Sequence, residues 1–203
     1  MSDTIIRSVE QLEAHYGKVI PAAWTKEIDH LNAHYRALVA ASPFVLVASV
    51  GPEGLDCSPR GDQAGFVAIE DDRTLLLPDR PGNNRVDTLS NIVRDPRVAL
   101  LFLIPGVGET LRVNGTAEVD TAPALLERFA INGKLPRSVV RIHVHSVYFQ
   151  CQMALARSGL WDPSQHVDRA TLPSVGEMIG TIIEDLGAEK DGALPRARSS
   201  RTA

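Results

Sequence analysis

SPRGDQAGFVAIEDDRTLLLPDRPGNNR, residues 58–85, carries two polar, turn-rich motifs around a strand-like middle. The first is Ser58 to Asp62 and the second is Pro78 to Arg85, which leads into a helical pattern. Arg60, Arg80 and Arg85 fall within them, among glycines, prolines and asparagines. A guanidinium presents a planar fork of donors that matches phosphate oxygens. Gly61 and Gly82 permit tight turns and close approach of backbone to a ligand. Asn83 or Asn84 is a suitable N-cap for the helix expected over Arg85–Arg94, whose free N–H groups and dipole favour an anion. Two loops at strand edges would thus converge on one phosphorylated ligand. The plain alternative is two ordinary turns with solvated arginines, since no Walker-type phosphate loop is present.

Outward from this stretch the chain alternates short strands with tight turns. Phe44–Val50 is apolar and β-branched, and Gly51-Pro52-Glu53-Gly54 is a turn. Leu55–Pro59 leads into the first motif as a strand. Asp71-Asp72 reads as a hairpin turn between Phe66–Glu70 and Thr74–Leu77. Val98–Ile104 is a continuous apolar run, expected to be a central strand buried on both sides. Thr110–Val119 and Val139–Phe149 alternate polar and apolar residues, the pattern of half-buried strands. Helices are expected after a capping box at Ser8 and over Trp24–Val39, Ala122–Ala130 and Met178–Leu186. Hairpin-length connections argue for antiparallel pairing. A small closed barrel with peripheral helices satisfies the pattern and removes exposed edges. The expected organisation is N-terminal helices over 1–43, a core over 44–163, a helical segment over 164–187 and a disordered tail over 188–203.

The 203 residues carry a net charge of −4, which argues against a general binder of nucleic acid or of a membrane surface. No apolar run is long enough to span a bilayer, and MSDTIIRSVEQ lacks the apolar core of a signal peptide, so a cytoplasmic protein is expected. Cys57 and Cys151 make neither a disulfide framework nor a zinc spacing. His143 and His145 share a strand face and read as its polar side, so no metal is expected. Asp62 either orients an arginine through an ion pair or acts on a substrate. No catalytic side chain can be assigned from spacing.

SPRGD followed by GF, then PDRPGNNR, DPRVALLFLIPG, ETLRVNG and ARSGLWDP, in this order, resembles the pyridoxamine 5′-phosphate oxidase-like flavoproteins. The resemblance spans about Phe44 to Pro163, together with the preceding helix, and lies closer to an FMN-dependent branch than to the oxidase itself. It implies an α+β fold, mainly β, built on an antiparallel FMN-binding split barrel with peripheral helices. It also implies a homodimer with FMN at the subunit interface. Carried over by position, the cofactor-binding residues are Ser58, Arg60 and Asp62 on the first motif, and Asp79, Arg80, Asn83, Asn84 and Arg85 on the second. Thr110, Leu111 and Arg112 fall where the partner subunit approaches the flavin, and Arg157 and Trp161 where late residues do.

The chain departs from the pattern at Val86 and Met153, where lysines are expected. The oxidase's late arginine-leucine-histidine run is also absent, which argues against pyridoxamine phosphate as substrate. The implied activity is FMN-dependent oxidoreduction of a small molecule, with hydride transfer through flavin N5 and the flavin carrying the chemistry. The alternatives are a flavin- or haem-binding module without turnover, or use of the deazaflavin F420.

Overall fold

The computed structural model describes residues 4–185; the expected tail over 188–203 lies outside them. Seven antiparallel strands form one sheet: β1 Phe44–Gly51, β2 Gly54–Gly61, β3 Ala68–Ile69, β4 Thr74–Asp79, β5 Arg97–Leu103, β6 Thr110–Asp120 and β7 Ser138–Gln150. Their order is β2-β1-β5-β6-β7-β4-β3. Among the described residues seven α-helices accompany them: α1 Val9–Tyr16, α2 Pro21–Thr25, α3 Ala33–Ala41, α4 Asp87–Arg94, α5 Pro123–Arg128, α6 Met153–Ser158 and α7 Val175–Asp185. This is the split-barrel α+β fold, mainly β.

The barrel is split rather than closed. No ladder joins β2 to β3, so the sheet keeps two edges. β2 and β4 stand five strand steps apart, about 24 Å if the sheet were flat. Residues of both nevertheless line one cleft, so the sheet curls until its edges face each other. Helix α4 lies in this gap, packed on β1, β2 and β6, and buries Thr88, Asn91 and Ile92. Asn91 Nδ2 donates to Ser49 Oγ on β1 (3.1 Å). Thr88 Oγ1 donates to Asp56 Oδ2 on β2 (3.2 Å).

The core follows from strand alternation. Val45, Val47, Val98, Leu100, Phe102, Leu111 and Val113 point inward and are almost fully buried. The intervening residues of β5 are half-buried apart from exposed Arg97, so the apolar run is sealed on one face rather than on both.

Three local expectations are corrected. The strand does not stop at Pro59: β2 runs through Ser58-Pro-Arg-Gly61 and pairs with β1 throughout. Pro59 is tolerated because β2 is an edge strand, where a missing N–H breaks no second ladder. The helix expected over Trp24–Val39 is broken in two. Between the pieces Ile28 forms a bridge with Val147, and Leu31 N–H donates to the Asp72 carbonyl (2.7 Å). Asn32 then caps α3, its side chain accepting from Tyr35 N–H (2.9 Å). The helix expected from Arg85 begins instead at Asp87, with Val86 as an N-cap that offers no side-chain bond. Asn84 adopts φ 61°, left-handed backbone that a helix cannot contain. Asn83 Oδ1 accepts from Arg85 N–H (3.0 Å), so the asparagines build a turn before the helix instead of capping it.

The chain divides into two compact units, Met1–Trp161 and Asp162–Ala203. In the second unit α7 starts with a capping box. Ser174 Oγ accepts from Glu177 N–H (3.2 Å), and Glu177 accepts from Ser174 N–H (2.6 Å). No helix among the described residues is long and apolar enough to cross a membrane.

Candidate functional site: an arginine-lined cleft at the split of the barrel

Residues of β2, the end of β4, the loop over 80–86, the start of α4 and Arg137 enclose a cleft of about 480 Å³. Strand register explains the first wall. Asp56, Ser58 and Arg60 pair with Ser49, Val47 and Val45, which point to the core, so all three side chains face inward. On the opposite wall β4 ends at Asp79, paired with Ser138 of β7.

Seven of the residues expected from sequence line this cleft: Ser58, Arg60, Asp79, Arg80, Asn83, Asn84 and Arg85. Asp62 stands just outside it. Its Oδ2 pairs with Arg80 Nε at 3.1 Å, and Arg80 Nη1 also donates to the Phe129 carbonyl (2.6 Å). Asp62 follows β2 and Arg80 follows β4, so the pair clasps the two facing edges of the split. This is the orienting role among the two considered for Asp62.

The other arginines differ in how they are held. Arg85 Nε pairs with Asp87 Oδ2 (2.7 Å), and its side chain is 65% exposed. Arg60 Nη1 donates to Ser58 Oγ (2.5 Å) and to the Pro59 carbonyl (2.9 Å). Burial pushes the Asp79 carboxyl above its ordinary range, and the charges of Arg60 and Arg137 pull it back. Asp56, Phe66, Thr88, Leu89 and Arg137 also line the cleft and were not anticipated. Asp56 could have been found by the two-residue period once Ser58–Gly61 was read as strand.

The remaining expected residues gather elsewhere. Leu111 is 1% exposed and belongs to the core, so only its backbone could meet a ligand. Thr110 is buried beside Gln150, its Oγ1 3.4 Å from Oε1. Arg112 pairs with Leu101, which pairs with Leu46, so it projects from the outer face of the sheet, opposite to Ser58 and Arg60. Its Nη1 donates to Tyr148 Oη (3.2 Å), and its guanidinium lies over the Tyr148 ring. Tyr148 is ten residues along β7 from Ser138, about 30 Å of strand from the Asp79 wall. Trp161 Nε1 donates to the Val107 carbonyl (2.9 Å), fixing the end of α6 to the β5–β6 turn. Arg157 lies on α6. Within one chain these five residues do not join the cleft lining.

The donor set fits a phosphorylated cofactor of flavin size. The volume lies in the range of small-molecule and cofactor sites. Guanidiniums, asparagine amides and the uncapped first turn of α4 offer charge-assisted bonds to an anion. Elsewhere on β7, His143 stands 3.7 Å from Glu118 and His145 3.3 Å from Thr116, both on the solvent side.

No curated protein matches the chain in sequence. Among solved structures, HupZ of Group A Streptococcus superposes with a TM-score of 0.46 at 22% identity, covering 57% of this chain and 90% of that one. General stress protein 26 of Bacillus anthracis gives 0.44 at 14% identity, with 56% and 88% covered. A FAD-binding protein of Mesorhizobium loti gives 0.41 at 18%, with 59% and 93% covered. The family model described as pyridoxamine 5′-phosphate oxidase matches residues 31–151, more than half of the chain and every strand of the barrel. The chain therefore belongs to the pyridoxamine 5′-phosphate oxidase family.

Proposed function

We propose that the protein is a homodimeric FMN-dependent oxidoreductase acting on a small molecule, with each flavin site built from two copies of the chain. The observation that carries this reading is the convergence of Ser58, Arg60, Asp79, Arg80, Asn83, Asn84 and Arg85 on one cleft of about 480 Å³. All of these but the Asp79 carboxylate offer hydrogen-bond donors, and so many donors have a common use when the ligand carries a phosphate.

The outer sheet face supports the two-copy arrangement. Phe44, Leu46 and Ala48 of β1, Leu55 of β2, and Leu101 and Leu103 of β5 make it apolar, with Leu55 85% exposed. Arg112 shares that face in the same cross-strand row as Leu46 and Leu101. A second copy docked there would meet Arg112, and the Thr110–Arg112 and Arg157–Trp161 group of one copy would complete the cleft of the other.

Bound FMN would supply hydride and electron transfer at its N5 atom. The chain's own part is binding and orientation. Arg60, Arg85 and the asparagine turn hold the phosphate end, Arg80 is kept in place by Asp62, and the partner's docking excludes water from the ring. The test is spectral. The purified protein should carry a flavin spectrum and bind FMN more tightly than riboflavin, and NADH or NADPH should bleach it reversibly in air. A haem spectrum, equal affinity for both flavins, or binding of F420 alone would replace this reading.

A further inference from the structure

Four arginines line the cleft, and the chain itself holds the guanidiniums of three of them. Arg80 is paired with Asp62 and Arg85 with Asp87. Arg60 makes no ion pair with a carboxylate among the described residues but is folded back on Ser58 and Pro59. Arg137 differs from all three. Its backbone N–H donates to the Asp79 carbonyl (3.0 Å), which fixes the root of the side chain one residue before β7. Its guanidinium makes no hydrogen bond or ion pair among the described residues, although it lines the cleft. Its charge is felt inside the cleft, where it joins Arg60 in opposing the effect of burial on Asp79.

These differences decide which arginine is available to a ligand. A guanidinium already paired with a carboxylate must share or exchange that partner before it gains from a phosphate. Arg137 has no hydrogen-bonded carboxylate to exchange among the described residues, and its planar fork can engage two phosphate oxygens at once. Resting on the FMN reading above, we infer that Arg137, on the β4–β7 side of the cleft, is a ligand of the cofactor's phosphate monoester together with Arg60 on the β2 wall. Arg85, held by Asp87 at the solvent edge just before α4, is then the lesser contributor.

The experiment is titration of the full-length protein with FMN and with riboflavin, following flavin fluorescence, for wild type, Arg137→Ala, Arg137→Gln and Arg85→Ala. Melting temperatures confirm that each variant is folded, and Arg137→Gln serves if the alanine variant is not. Arg137→Ala is expected to weaken FMN about tenfold or more and riboflavin less than about twofold, while Arg85→Ala weakens FMN by less than about threefold. If wild type prefers FMN but the Arg137 variants bind it as wild type does, the inference fails and the FMN reading stands. Equal losses for FMN and riboflavin would make Arg137 structural and also overturn it. A wild-type protein that binds neither flavin would remove both.

Discussion

The inner face of β2 and the outer face of β6 both carry arginines in the motifs that mark this family, yet the fold treats them oppositely. Asp56, Ser58 and Arg60 pair across the ladder with Ser49, Val47 and Val45 and are drawn into the split of the barrel. Arg112 lies in a row with Leu101 and Leu46 and is turned outward, onto an apolar face with Tyr148 beneath its guanidinium. The first group needs only its own chain to form a cleft. The second becomes part of a binding site only if another molecule covers the face. The difference teaches that a two-residue period decides whether an arginine faces the cleft of its own chain or the outer surface of the sheet.

The β6–β7 ladder ties the strand that carries Arg112 to β7 and so to the Asp79 wall of the cleft, and breaking that ladder should have the largest effect. At Gly115 the register shifts, and a Cβ there would stand 1.9 Å from the His143 carbonyl oxygen. Backbone cannot yield as a flexible side chain does. Gly115→Ala should cost about 3 kcal/mol, a fall of about 10 °C in melting temperature. A variant that melts within about 2 °C of wild type would show that the two strands are not locked in this register.

A smaller effect should come from the clasp across the split. Asp62→Asn removes the charged acceptor from Arg80, whose side chain is 29% exposed. The loss should be about 1.5 kcal/mol in a denaturant titration. Unchanged stability would mean that this ion pair does not help to hold the two sides of the split together.

The smallest effect concerns Asp79 and has the opposite sign. Burial raises its folded pKa, so its unfavourable contribution is absent below the unfolded carboxylate value near 3.9 and appears as pH rises through the folded value. Asp79→Asn should therefore stabilise the ligand-free protein at neutral pH, with the gain vanishing toward pH 3. A variant less stable than wild type at pH 7 would contradict the burial of this carboxyl in the cleft.

Much of this was legible in the sequence because alternation and turns are local signals. The hairpin at Asp71-Asp72, the long strands β6 and β7 and the cap at Ser8 are set by neighbours in the chain. The misreadings have tertiary causes. The helical period over Trp24–Val39 loses to the bridge between Ile28 and Val147. Pro59 marks an end to a strand unless the strand is known to lie at an edge. Arg137 stands alone after Pro136 with no local pattern, and only the pairing of β4 with β7 carries it to the cleft.

The central claim is that one flavin site needs the inner face of one copy and the outer face of another. It is tested most directly by mixing two defective chains, Arg60→Ala and Arg112→Ala, each expected to bind FMN poorly by itself. In a two-fold dimer, a mixed pair contains one doubly defective site and one intact site. Co-refolding equal amounts should restore tight FMN binding at about one quarter of all sites, because about half of the dimers are mixed and each regains one site of two. A mixture that binds no more FMN than its two components measured separately would contradict the shared site.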